Sequence, residues 1–335
     1  MKKLRPSGRR SPQQASLRTR VAADIGGTFT DVAAFDERTG RLLLGKALST
    51  PTRLVDGISH GMEKAGARFA DAEAFLHGST IAINTMLERT GAKTALLTTE
   101  GFRDIYEIGR INRPDAYNLY FKKHVPLIER ALRFEVRERI TAEGEIHVAL
   151  DEASVHAACD RLEAAGVAAV AIMLLHSYVN PAHERRIKEI AQKRLPNAFV
   201  TASHELSREY REFERCSTVV ANAYIGPVVS EYVRGIDQRL NQSGFEGPFL
   251  LVQSTGGLYE SHQARAECVR MLESGPAAGV IGAQALCGAL GLSDAVAFDM
   301  GGTTAKAGVI YRGKALTTGA ALSAATRRRF RCRFR

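Results

Sequence analysis

Apolar residues run along this chain in short blocks, separated by tight Gly-rich turns and by longer stretches with helical spacing. Val21–Ile25 is one such block. Gly26-Gly27 interrupts it, Thr28–Phe35 resumes it, and Arg38-Thr39-Gly40 marks a second turn before Arg41–Leu48. That pattern predicts three strands joined by two turns. Pro51 then opens a predicted helix reaching Ala65. Next come a short strand, a loop at His77–Gly78, a helix over 80–89 and a strand over Thr94–Thr98. Residues 106–150 are irregular and read as an insertion.

Beyond it the pattern clears. Asp151 caps a helix ending at Gly166, and "VAAVAIMLL" follows as a strand buried on both faces. Asn180 caps another helix with Pro181 at its first position, and a strand lies near 199–201. Two long helices are expected over roughly 207–223 and 227–241. "PFLLVQSTGG" reads as strand into loop, "ESGPAAGVIGAQALCGALG" as loop into helix, and "AVAFDMGGTTAKAGVI" as strand, turn, strand. Strands alternating with helices predict an α/β protein with a largely parallel sheet. A strand–Gly-Gly–strand hairpin recurs near each end, so a mixed sheet in two similar lobes is expected.

Charge changes this picture little. The formal net charge is +10, but residues 1–20 hold seven Lys/Arg and no acid, and 327–335 hold six Arg and no acid. Without those 13 charges, 33 bases face 36 acids, a balance of −3. The body is mildly acidic, which argues against a nucleic-acid partner. The basic start has no apolar core and is not a secretory signal. Ser274–Ser293 runs without a charge, but its five glycines and one proline suit a tightly packed buried helix better than a membrane span. Five widely spaced cysteines read as free or buried thiols in a reducing, cytoplasmic setting. The nine histidines form no close ligand pair, so no structural zinc is expected.

The chemistry concentrates in two stretches, "DIGGTFTDV" at 24–32 and "DMGGTTAKA" at 299–307. In each, an Asp ends an apolar strand beside two glycines whose backbone can approach a ligand closely. The following Thr28 or Thr303 adds a hydroxyl and an amide. A carboxylate beside an anion-binding turn is equipment for phosphate with Mg²⁺. One copy is readily an ordinary hairpin turn. Two copies in opposite halves suggest a cleft in which both face one polyphosphate. Asp31 is a further candidate acid–base or metal-shell carboxylate, and Lys306 a candidate for neutralising phosphate. Exposed hairpin positions would explain both equally. No G-x-x-x-x-G-K-[ST] and no strand-borne G-x-G-x-x-G occurs. "QSTGG" at 253–257, Ser274 and Gly275 before Pro276, and His77, Ser79 and Thr80 in "HGST" are further candidate ligand loops, with ordinary capping as the competing reading.

Together with "HGSTIAINTMLERTGAKTALLTTEGFRDIYEIGR" and "ESGPAAGVIGA", the two hairpins resemble the A-type subunits of the hydantoinase/oxoprolinase family over residues 20–316. The resemblance implies an actin-like, sugar-kinase-like ATPase fold of two ribonuclease-H-like lobes, with the Gly-Gly turns as phosphate loops. It divides the chain into a basic tail (1–19), an N-terminal domain (20–200), the start of an incomplete second lobe (201–316) and an aberrant Arg-rich end (317–335). It also implies ATP and Mg²⁺ as cofactors, a B-type partner subunit, and ATP-dependent hydrolysis of a cyclic amide through phosphorylation of its carbonyl oxygen. Asp24 and Asp299 would stand in the Mg²⁺ shell. Gly26, Gly27, Thr28, Gly301, Gly302 and Thr303 would cradle phosphates, with Thr30, Asp31, Thr304 and Lys306 in secondary roles. "TTAKA" departs from the more usual repeat of "T-D-V" and leans towards the carboxylase-like branch. The alternatives are therefore a subunit of an acetone- or acetophenone-type carboxylase, or an inactive fragment.

Overall fold

The computed structural model describes residues 19–26, 28–49, 54–110, 117–120, 125–300, 305–317, 321–325 and 328–332. They gather into two compact units. Unit 1 holds the described residues up to His77 together with Ile236–Leu250, and unit 2 holds Gly78–Gly235 together with the residues from Leu251 onward.

Unit 1 starts with an antiparallel meander of β1 (Thr19–Ile25), β2 (Phe29–Asp36) and β3 (Arg41–Leu48). Alternation decides its faces. Val21, Ala23, Ile25, Thr30, Val32, Ala34 and Ala47 are buried, while their neighbours along each strand, Asp24, Asp31 and Lys46 among them, are exposed. Helix α1 (Leu54–Ala65) covers the buried face. Glycines let it come close: a Cβ on Gly57 would lie 2.6 Å from Thr30 Oγ1, one on Gly61 2.5 Å from Val32 Cγ2, and one on Gly45 would collide with the Gly61 carbonyl oxygen. Strand β4 (Ala72–Ser79) joins β1. It runs straight through His77–Gly78, where a loop was expected, because the His77 ring packs inside unit 1 and its Nδ1 meets the Ala23 carbonyl at 2.9 Å.

In unit 2, α2 (Ile81–Leu87), β5 (Thr94–Thr99) and α3 (Ile105–Ile108) lead into the irregular stretch. That stretch yields β6 (Arg133–Val136) and the small pair β7 (Arg139–Ile140) and β8 (Ile146–Val148). Then follow α4 (Glu152–Ala164), β9 (Ala169–Met173), α5 (Ala182–Arg194), β10 (Phe199–Ala202) and α6 (Ser203–Leu206). The strands form a parallel sheet in the order β10-β9-β5-β6. On one face Ala95, Leu97, Val170 and Ile172 pack with Val155, Leu162, Ile187 and Ile190 of α4 and α5. On the other, Leu96, Ala171 and Met173 pack with Phe213, Cys216, Val219 and Val220 of α7 (Glu212–Gln242). The Asp151 carboxylate accepts from the Ala153 and Ser154 amides, as its position predicts. Asn180 caps α5 from one residue further out, through Ala182 N at 3.1 Å.

Helix α7 corrects the two-helix expectation: it continues through Pro227 for 31 residues. An interior proline costs on the order of 3 kcal/mol. Phe213–Ile225 is buried on every side, and that burial outweighs the proline. Asn222 just before it is fully engaged, with Nδ2 donating to Thr201 Oγ1 and Ala266 O while Oδ1 accepts from Val269 N.

Strand β11 (Phe249–Val252) extends the unit 1 sheet to β11-β4-β1-β2-β3, and Phe69, Phe75, Phe245 and Phe249 form an aromatic core there. In unit 2, β12 (Leu258–Glu260) and α8 (Ser261–Ala266) precede α9 (Ser274–Ala289). Next comes a three-stranded sheet of β13 (Ala295–Met300), β14 (Ala305–Tyr311) and β15 (Lys314–Ala315), with β13 at its edge. The expectation that α9 is a buried helix is not met. Only Ser274 and Cys287 are buried along it, and Leu286 is 61% exposed. The helix is apolar on all sides, and the small sheet covers only the side where Val280 meets Gly308. The Arg-rich end, though without hydrophobic period, pairs β16 (Ala321–Ala325) with β17 (Arg328–Cys332). The basic residues 1–18 lie outside the described residues.

Candidate functional site

The strands that flank the two D-x-G-G-T stretches pair alike. In unit 1, β1 and β2 pair Asp24 with Asp31 and Ile25 with Thr30. In unit 2, β13 and β14 pair Asp299 with Lys306 and Met300 with Ala305. Each Asp therefore faces the residue seven positions later. Asp24 and Asp299 are both exposed at the end of their strands. Gly27, Gly301, Gly302, Thr303 and Thr304 lie outside the described residues.

The first turn is braced from behind. Gly26 N donates to Phe29 O at 2.9 Å, Ser49 Oγ donates to Gly26 O at 2.9 Å and lies 3.0 Å from Thr30 Oγ1, and Ser49 N donates to Thr28 O at 2.9 Å. Thr30 is 0% exposed. Its hydroxyl holds the turn's shape and is not offered to a ligand, which corrects its expected binding role. Thr28 is exposed on the turn itself. On the outer face, Asp24, Asp31 and Lys46 line up across three strands. Lys46 Nζ lies 2.8 Å from Asp31 Oδ1 and 3.0 Å from Oδ2. Two carboxylates directly opposite repel each other, and Lys46 offsets one of them. A pair of exposed hard oxygen donors beside a turn of small residues suits Mg²⁺, which takes one or two protein carboxylates and completes its shell with phosphates and water.

Around the second hairpin, several loops singled out by sequence meet at the start of α9. Ser274 Oγ donates to Ser79 O at 2.8 Å and accepts from Ser79 N at 3.1 Å, joining "HGST" to "ESGP". Ser254 Oγ, from "QSTGG", donates to Arg270 O at 2.8 Å and accepts from Glu273 N at 3.0 Å. Lys306 Nζ lies 2.8 Å from Glu273 Oε2. The Ser274 hydroxyl is thus spent on backbone, and Lys306 is already paired. Helix α9 begins at Ser274, two residues before Pro276, because a proline in the first turn forfeits no helical hydrogen bond. Gly275 therefore sits inside the first turn.

His77 is a core residue. It is 1% exposed, stacks on Phe75 at 6.2 Å between ring centroids, and its pKa is pushed down to about 4 by burial against the opposing pull of the Ala23 carbonyl. It is neutral at physiological pH and closed to substrate. Sequence reading missed Ser49, Lys46 and Glu273. The alternation of β2 and β3 carries a signal for Lys46, which shares the face of Asp31. Nothing local marks the other two.

Comparison with known proteins agrees with this geometry. Residues 20–195 match the hydantoinase/oxoprolinase N-terminal region and 215–332 match hydantoinase/oxoprolinase. An uncharacterized protein of Methanocaldococcus jannaschii is 40% identical over 89% of this chain and 44% of its own length. The caprolactamase alpha subunit of Pseudomonas jessenii is 35% identical over 85% of this chain and 42% of its own. Among solved structures, nucleotide-free acetone carboxylase superposes with a TM-score of 0.82 at 26% identity, over 95% of this chain and 47% of that one. The ATP-dependent caprolactamase of Pseudomonas jessenii gives 0.78 at 32%, over 94% and 46%. The chain spans less than half the length of these relatives. The fold is the α/β, actin-like ATPase type of these neighbours, and the chain belongs to the hydantoinase/oxoprolinase family.

Proposed function

We propose that this protein acts as the A-type subunit of an ATP-dependent enzyme that opens a cyclic amide of the hydantoin or 5-oxoproline type. The observation that carries the proposal is the repeated hairpin: the same register, with an exposed Asp at the same step before the same Gly-Gly pair. Relatives named for cyclic amides support the substrate class, caprolactamase and the 5-oxoprolinase of Saccharomyces cerevisiae among them. Relatives named as subunits support a partner chain, which we take to be of B type.

In this reading the backbone amides of Gly27 and Thr28, and of Gly301, Gly302, Thr303 and Thr304, hold phosphate oxygens; the Gly26 amide, expected among them, donates to Phe29 O at 2.9 Å and shapes the turn instead. Asp24 and Asp299 hold Mg²⁺, partly through water, with Asp31 beside Asp24. Bound Mg-ATP supplies the phosphoryl group that turns a stable ring carbonyl into a good electrophile for water. Ser49 and Thr30 brace the first turn from behind, so its remaining amides need no rearrangement when charge develops. Lys306 and Gly275 border the second hairpin and lower the cost of collecting anionic oxygens there.

The test is Mg-ATP-dependent ring opening of 5-oxoproline and hydantoin by the chain combined with a purified B-type subunit. Asp24→Asn and Asp299→Asn should each lower turnover by at least a hundredfold, as expected for a lost charge-stabilising group worth about 3 kcal/mol. Wild-type turnover in either variant refutes the assignment of the hairpins. ATP-dependent fixation of bicarbonate onto a ketone, without ring opening, moves the protein to the carboxylase reading.

A further inference from the structure

The parallel sheet of unit 2 carries chemistry that the hairpins do not use. Its order is β10-β9-β5-β6. From β5 the chain fills one side with β6 and then crosses to the other with β9, so the order reverses between β5 and β9. Ligands of open parallel sheets bind beyond the carboxyl ends of the strands near such a reversal. A buried polar cluster stands one strand over from it, at the carboxyl ends of β9 and β10. Glu184, fully buried, accepts from Leu174 N at 2.9 Å, Ser177 Oγ at 2.9 Å, Ser203 Oγ at 2.7 Å, His204 N at 3.0 Å and His204 Nδ1 at 2.7 Å. Arg215, 1% exposed, reaches Ser203 Oγ at 2.8 Å and Leu174 O at 2.9 Å from below. Burial alone would raise the Glu184 pKa; the His204 hydrogen bond and the Arg215 charge overcome it and hold the carboxyl below its ordinary range.

An ionised carboxylate only accepts, so His204 Nδ1 carries the proton and donates it. That leaves Nε2 as the atom the ring offers elsewhere, and His204 lines an open cavity of about 440 Å³. Arg185, Arg208, Arg270 and Glu205 also line it. Glu205 is neutralised by Lys188 at 2.6 Å, and Arg270 is paired with Glu267. Among the described residues Arg185 and Arg208 have no ion-pair partner. The cavity wall therefore carries two uncompensated positive charges beside an oriented imidazole.

We propose that this cavity is a second ligand site, built from residues outside both Gly-Gly hairpins, which binds a small oxyanion, phosphate or carboxylate. Arg185 and Arg208 supply the charge, Arg270 closes one wall, and His204 Nε2, which carries no proton in this tautomer, accepts a hydrogen bond from a protonated oxygen of the ligand, as hydrogen phosphate offers and an ionised carboxylate does not. Guanidinium groups suit this ligand because their forked donors match two oxygens of one anion. Glu184 acts as a positioning residue: it fixes the His204 tautomer and ring orientation without touching the ligand.

The experiment is calorimetric titration of the purified chain at low ionic strength with inorganic phosphate and, separately, with succinate. Saturable one-site binding of either is expected, at least tenfold weaker in the Arg185→Gln/Arg208→Gln double variant. Both side chains are exposed and unpaired, so the variant should fold, which far-UV circular dichroism checks. In the phosphate titration the nitrogen resonance of His204 Nε2 should move with the same dissociation constant. Preference for phosphate assigns a phosphate-bearing ligand, and preference for succinate a carboxylate. Absence of binding by both probes, equal affinity in the double variant, or a His204 resonance that stays still at saturation with phosphate overturns the proposal.

Discussion

Ser49→Ala should loosen the first Gly-Gly turn without touching its amides. The Ser49 hydroxyl donates to Gly26 O at 2.9 Å and lies 3.0 Å from Thr30 Oγ1. Removing it leaves the Thr30 hydroxyl buried and unmatched, since Thr30 is 0% exposed. An orphaned buried hydroxyl costs about 1–3 kcal/mol. Ser49 itself is only half-buried, so water can reach Gly26 O, and the expected loss is about 2 kcal/mol. In the Thr30→Val/Ser49→Ala double variant both partners are apolar, the orphan disappears, and about half the loss should return. Global unfolding is a blunt reading for a chain of two compact units. Native-state exchange of the Gly26 amide, which donates to Phe29 O, reads the hairpin locally. A loss of 2 kcal/mol corresponds to roughly 30-fold faster exchange where exchange follows local opening. Unchanged exchange in Ser49→Ala, or faster exchange in the double variant than in the single, would refute the brace.

Two further outcomes follow from unit 1. The His77 ring has its pKa lowered to about 4 by burial, so the unfolded chain takes up the proton first. Stability is therefore full above about pH 6.5 and declines as the pH falls towards 4, by about 3 kcal/mol in all. His77→Gln should flatten that part of the difference curve in pH-dependent urea unfolding, and an unchanged slope would show that another group is responsible. Gly45→Ala places a Cβ against the Gly61 carbonyl oxygen, a backbone collision that no rotamer relieves. It should cost about 2–3 kcal/mol, read as a lowered thermal midpoint, and a neutral effect would mean that α1 is free to shift.

Much of this architecture is written locally. The three strands of the meander, the Asp151 cap and the strand at 169–173 follow from alternation, a capping side chain and an unbroken apolar run. The failures share a cause: the deciding partner is distant in sequence. Pro227 looks like a helix break until Phe213–Ile225 is seen buried all round. Ser274 looks like an anion ligand until Ser79, 195 residues away, takes its hydroxyl. Helix α9 looks like a buried core helix because its composition has no polar face, yet composition cannot say how much of a helix its neighbours cover. Thr30 is the instructive exception. It shares parity with Val32 and Ala34, so alternation alone assigns it to the buried face and Asp31 to the exposed one.

The same parity shows how the two hairpins differ. Backbone chemistry makes them alike, since Gly-Gly and the paired register recur in both. Their charge differs at the seventh residue after the leading Asp, which is Asp31 in one and Lys306 in the other. Each then recruits an opposite charge from elsewhere, Lys46 for Asp31 and Glu273 for Lys306. Counting formal charges, Asp24, Asp31 and Lys46 sum to −1, and so do Asp299, Lys306 and Glu273. The net charge is conserved between the hairpins while its placement is not. The first concentrates two carboxylates across one strand pair, where a divalent cation relieves their repulsion. The second sets an ammonium opposite its Asp and a carboxylate beside that ammonium. Both leading aspartates therefore stand exposed in settings of equal formal charge, which fits the same proposed role for each.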